Sequence, residues 1–126
     1  MNLPLHLGWP GALEAGAIAL LAGLLAYGVF HVLGARLRWT PGHAIGWSSL
    51  VAVAAAAGVD LWNLFYIGVV KLESPVYARI VLSRIHDADN LGTRVVMEIL
   101  GALAGVAIAW MAAHARTSAR QAREDR

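Results

Sequence analysis

The chain has 126 residues, of which 59% are hydrophobic and only 14% charged, and it has no cysteine. A soluble domain carries roughly 25% charged residues, so this composition excludes an ordinary water-soluble fold and predicts an all-α membrane domain covering residues 1–126. Zero cysteines exclude a disulfide framework, thiolate metal sites and cysteine catalysis; the formal charge of +2 is dispersed around apolar segments, which points to topology and lipid headgroups and away from nucleic acid.

The first apolar stretch runs over about residues 11–33. Like the stretches at about 44–70 and 95–113, it meets the roughly 20 residues that a helix needs to cross a 30 Å hydrocarbon layer. Helices are expected throughout, because lipid offers no partner to unpaired backbone groups. No Lys or Arg precedes the first stretch, so it is not read as a signal peptide. Pro10 suits the first turn of that helix, Gly34 can end it, and Pro41 with Gly42 marks the turn before the second span.

Between the second and third spans lies more than a loop. Ser74 followed by Pro75 is a helix start, and Tyr77, Ala78, Val81, Leu82 and Ile85 then fall on one side, predicting a short amphipathic interfacial helix over about 75–86. His86, Asp87, Asp89 and Asn90 follow as turn and cap residues; they resemble part of a calcium loop but lack its glycine and distant Glu. Asn90 or Thr93 is available to cap the third span, and the arginine-rich tail over about 115–126 either extends it along anionic headgroups or frays into water.

Arg36 and Arg38 follow the first span, Lys71, Arg79, Arg84 and Arg94 flank the second loop, and Arg116, Arg120, Arg123 and Arg126 end the chain. The bias favours an N-terminus outside and a C-terminus in the cytoplasm. Nine arginines against one lysine suggest a GC-rich bacterium and hence its cytoplasmic (inner) membrane.

Each predicted span contains one acid: Glu14, Asp60 and Glu98. A carboxylate inside a membrane costs several kcal/mol, at least about 2.5, and normally has a partner or a task. Glu14 and Glu98 are expected in first helical turns, where the helix dipole favours negative charge, and Arg94 is placed to pair with Glu98 at i, i+4. Asp60 alone is expected near the midplane. It divides between a functional role, as a proton carrier or the anchor of a partner's cation, and interhelical bonding to Asn63 or a neighbouring helix.

The small residues define packing faces. Ser49, Ala52, Ala56 and Asn63 share the Asp60 side of the second span; Gly101, Ala102, Gly105 and Ala109 share the Glu98 side of the third, with Gly101 and Gly105 forming a GxxxG pattern; and Ala15, Ala19, Ala22, Gly23 and Ala26 line the first. Trp62, Phe65 and Tyr66 crowd one turn around Asp60 and Asn63, either as large packing residues or as the lining of a quinone, lipid or cationic site. Trp39, Trp47 and Trp110 at one boundary, and Trp9 and Tyr77 at the other, read as aromatic belts.

His31, His43 and His114 are expected near the cytoplasmic face. Interfacial tolerance of histidine explains them without a metal, the alternatives being a metal ion or an axial haem ligand. No nucleophile constellation, phosphate loop or zinc motif is present, so no enzyme and no cofactor is expected, with haem or a quinone as the alternatives. The leading functional expectation is a non-catalytic accessory or structural subunit of a larger membrane complex, or a homo-oligomer packing through small-residue faces, in contact with lipids. A small proton-coupled transporter or channel using Asp60 and a holin-like pore former are the alternatives.

Overall fold

A computed structural model describes residues 1–125, apart from the side chains of residues 70–73. The side chain of Lys71 and the whole of Arg126, both counted above among the topological charges, lie outside the described residues.

The chain forms four α-helices: α1 (Trp9–Leu37), α2 (Pro41–Glu73), α3 (Pro75–Leu82) and α4 (Leu91–Glu124), with one 3-10 turn, Ala88–Asn90, before α4. No strand occurs among the described residues. The three long helices α1, α2 and α4 are each long and apolar enough to cross a membrane, which fits a small multi-pass integral membrane protein. All three pack on one another, and α3 lies against α2.

Every long helix outruns its expected apolar core. α1 continues past Gly34 to Leu37, and Arg38 ends it in the left-handed conformation at φ 55°; the N–H groups of Arg38 and Trp39 both donate to the Gly34 carbonyl, closing the helix end. Pro41 opens α2 rather than preceding it, since its missing N–H is one that a first turn leaves unbonded anyway. α3 stops at Leu82, short of the expected residue 86. There Ser83 Oγ donates to the Ile80 carbonyl and the N–H groups of Arg84 and Ile85 reach back only three residues, tightening the last turn. On α3, Ala78 and Val81 turn inward, whereas Tyr77 and Leu82 are exposed.

α4 begins four residues earlier than the apolar pattern suggests and continues as helix through the arginine tail to Glu124. At about 1.5 Å per residue its length is roughly 50 Å, well beyond a hydrocarbon layer of about 30 Å, so its exposed Arg116, Arg120 and Arg123 stand on a helical extension.

The core between the helices is made mostly of small residues, with Tyr27, Val95 and Val106 among the larger ones. Ala12, Ala15 and Ala19 of α1, Ala52, Ala56 and Ala57 of α2 and Ala102 of α4 are buried, while Leu21, Leu25, Val29, Val32, Leu50, Trp62, Phe65, Val96 and Leu100 face outward. That inversion suits lipid: the tails are as apolar as leucine, so nothing drives large side chains inward, and small ones let backbones approach. The closest approach joins α1 and α4. A Cβ built on Gly101 would lie 2.1 Å from the Gly16 carbonyl oxygen, one on Gly105 2.1 Å from that of Leu20, and one on Gly23 2.1 Å from that of Ala102.

These contacts are with backbone, which cannot swing aside. Gly105→Ala should therefore destabilise the bundle by about 1–3 kcal/mol through forced helix separation, whereas Gly28→Ala, where a Cβ meets nothing within 4 Å, should be neutral. Unfolding titrations of the two variants in detergent check this, and equal midpoints would remove the close α1–α4 approach.

Candidate functional site

The buried charged side chains gather between the second half of α2 and the first turns of α4, apart from the buried Ser48 near the start of α2. Asp60 of α2 and Arg94 and Glu98 of α4 are all 0% exposed. Arg94 and Glu98, four residues apart, share one face of the first two turns of α4 and point at α2, where Asp60 faces them. A group buried in apolar surroundings keeps its charge only with a partner. The partner of Asp60 is Arg94, whose Nη2 lies 3.0 Å from Asp60 Oδ2.

Arg94 thus reaches across to α2, and its guanidinium also donates to the His86 carbonyl at 2.8 Å and to the Met1 carbonyl. Arg94 also reads differently from its place in the sequence: it is a core side chain, not a boundary charge. Glu98 takes another cation. The Met1 α-ammonium donates to Glu98 Oε1 at 2.6 Å and to the Ala56 carbonyl at 2.7 Å, and lies 3.2 Å from Asp60 Oδ2. Two carboxylates therefore face one guanidinium and one ammonium, a formally neutral set. Both Asp60 carboxylate oxygens, Glu98 Oε2 and Arg94 Nε have no hydrogen-bond partner among the described residues, so Asp60 is held by ion-pair contact alone.

Residues 1–8 fold back to deliver that ammonium. Gly8 takes φ 71°, and a Cβ on Gly11 would lie 1.7 Å from the His6 carbonyl oxygen, so glycine is required where the segment doubles against the start of α1. Asn2 Oδ1 accepts from the His86 N–H, its Nδ2 donates to the Arg84 carbonyl, and the Gly8 N–H donates to Asp87 Oδ2 at 2.7 Å. The turn 83–90 and the amino-terminal segment thus form one polar layer over the charged cluster.

The other acids separate from this cluster. Glu14 caps the N-terminal segment: its Oε1 lies 2.6 Å from His6 Nδ1 and its Oε2 accepts the His6 N–H, on the surface and away from Asp60. Glu98, expected among first-turn charges, stands eight residues into α4 and is wholly interior. Asn63 is half-buried and, among the described residues, makes no hydrogen bond to Asp60. Trp62 and Phe65 meet in a tilted contact, ring centroids 6.0 Å apart, on the outside of α2, 64% and 63% exposed, and only Tyr66 of that trio is half-buried. An α-helix turns successive residues by about 100°, so residues two and five after Asp60 point away from it.

Ala52, Ala56 and Gly105 are buried and Gly101 half-buried, all in helix contacts within the chain. At the opposite end, His31 stacks on Tyr27 and His114 on Trp110, and both line a groove of about 270 Å³ with Trp39 and Ala44. His43 instead bonds Thr40 Oγ1 at 2.6 Å. Among the described residues no three His, Asp or Glu side chains converge in a metal-binding arrangement.

No protein-family model, curated protein or solved structure matches the chain.

Asp87, itself at φ 51°, is held below its ordinary value first by the Asn90 side-chain amide, 3.0 Å away, and then by the Gly8 N–H. Because the folded value is depressed, the stability contributed is complete above the ordinary carboxylate range of about 4 and is lost as pH falls through the folded value. Melting midpoints should therefore drop below pH about 4, and Asp87→Asn should flatten that part of the curve; an unchanged acid limb in the variant would disconnect Asp87 from it.

Proposed function

We propose that the chain is a non-catalytic membrane subunit, serving as an accessory or structural component of a larger membrane complex or as a homo-oligomer. One observation carries the reading: the interior charges are spent on one another at 0% exposure, while the outward surface of all three spans is large and apolar. Such a molecule offers helix surfaces to lipid and neighbouring proteins. Asp60 is enclosed and already faces Arg94, and this favours the structural reading over proton exchange at Asp60.

The small-residue faces no longer argue for self-association, because the structure uses them between α1, α2 and α4. The outward aromatic pair Trp62 and Phe65 supports assembly better, as large rigid side chains are favoured at contact surfaces. The proposed setting is a bacterial cytoplasmic membrane with the N-terminus outside and the helical arginine extension of α4 in the cytoplasm, on the strength of Arg36, Arg38 and the tail.

Mass measurement on complexes extracted in mild detergent tests the proposal. The expected species exceeds the 13.4 kDa of one chain and shrinks when Trp62 and Phe65 are both replaced by alanine. A lone 13.4 kDa chain without any companion contradicts the proposal.

A further inference from the structure

A groove of about 270 Å³ opens between the three long helices at the end of the bundle remote from the charged cluster. Tyr27, Gly34 and Ala44 form its buried floor, and His31, Thr40 and His114 its exposed rim, so a molecule reaches it from outside without parting the helices. On α4, His114 follows Arg94 by 20 residues, roughly 30 Å at about 1.5 Å per residue, which places the groove at the opposite boundary of the hydrocarbon layer. The left-handed end of α1 at Arg38 brings Trp39 back over it, where the Trp39 N–H donates to the Gly34 carbonyl at 2.9 Å.

The floor carries an unused polar group. Tyr27 is 5% exposed, yet its hydroxyl makes no hydrogen bond among the described residues and is not one of the enclosed polar atoms, so it opens into the groove. A buried phenol normally has a partner. The imidazoles of His31 and His114 are held by ring stacking alone, on Tyr27 at 5.5 Å and on Trp110 at 6.0 Å. A phenol and a neutral imidazole each offer one donor and an acceptor.

The lining selects the class of occupant. No Lys, Arg, Asp or Glu side chain lines the groove, and Arg36 lies along a separate outward depression beside Gly28 and Val32. A phosphate headgroup or an amine therefore meets no fixed counter-charge there. Aromatic walls with a few convergent polar groups suit a neutral flat ring, and a volume just under the roughly 300 Å³ at which drug-sized pockets begin suits a single one. At a membrane boundary that ring comes from the lipid phase. We propose that this groove binds the head ring of a membrane quinone, with the Tyr27 hydroxyl and the His31 and His114 imidazoles bonding the ring oxygens, Trp39 and Trp110 as apolar walls, and the tail leaving into lipid. Binding there is independent of the assembly proposed above.

The full chain in phosphatidylcholine nanodiscs, titrated with decylubiquinone, tests this through tryptophan fluorescence. Quenching should saturate, and decylbenzene, which has the tail without ring oxygens, should not compete. Tyr27→Phe, which keeps the stacked ring, combined with His114→Leu should raise the dissociation constant by about tenfold, the worth of one or two lost hydrogen bonds. Quenching that rises linearly as mere partitioning does, or an unchanged dissociation constant in the double variant, overturns the proposal; so does displacement of the quinone by phosphatidylglycerol, which would make an anionic headgroup the occupant. If the double variant does not fold, a photoreactive azidobenzoquinone on the unmodified chain decides. Cross-links within residues 27–44 or 110–117 are expected, and labelling confined to other segments removes the site.

Discussion

Two carboxylates enclosed in an apolar bundle must be compensated, and the polar organisation of this protein follows from that requirement. An uncompensated charge at such depth costs several kcal/mol. Asp60 and Glu98 therefore bring Arg94 to the interior, turn the first two turns of α4 toward α2, and draw residues 1–8 and the turn 83–90 over the bundle end. A charge cluster of this kind adds little net stability compared with well-packed apolar residues, but it has one satisfactory arrangement. It therefore fixes which faces of α2 and α4 meet.

Packing between α1 and α4 works by another means. Gly16, Gly23, Gly101 and Gly105 let backbone meet backbone, and alanine supplies most of the remaining core, with Tyr27, Val95 and Val106 beside it. Small-residue contacts gain van der Waals energy by closeness, without a hydrophobic drive, and tolerate sliding. The charged cluster removes that freedom. Close packing along α1 and α4 and ion pairing between α2 and α4 thus hold the same three helices by complementary means, leaving the large aliphatic and aromatic residues for lipid and for neighbours.

Much of the fold is legible in the sequence, because length and hydropathy define a membrane helix almost alone. The three spans and the short helix after Ser74 follow directly, as do the buried small faces around Ala15, Ala52 and Ala102. Helix ends are less legible: apolar composition marks the hydrocarbon crossing, whereas hydrogen bonding carries α2 and α4 beyond it. The site is legible only in part. Asp60 and Glu98 stand out as intramembrane acids, but Arg94 beside a loop looks like a topological charge, and its i, i+4 relation to Glu98 suggests a local pair rather than a shared face aimed at Asp60. The amino-terminal return was missed altogether. Gly8 and Gly11 around a proline, together with an interior count of two acids to one arginine, are the signals that point to it.

The ion pair between Asp60 and Arg94 is the element on which the arrangement of α2 against α4 rests, and a double-mutant cycle measures it most directly. Unfolding free energies are needed for the unmodified chain, Asp60→Asn, Arg94→Gln and the double variant. The structure requires a coupling energy of at least about 1 kcal/mol, within the range for charged groups in contact, with the double variant less destabilised than the sum of the two single ones. Additive losses, with coupling near zero, would contradict the pairing of Asp60 with Arg94 and the account built on it.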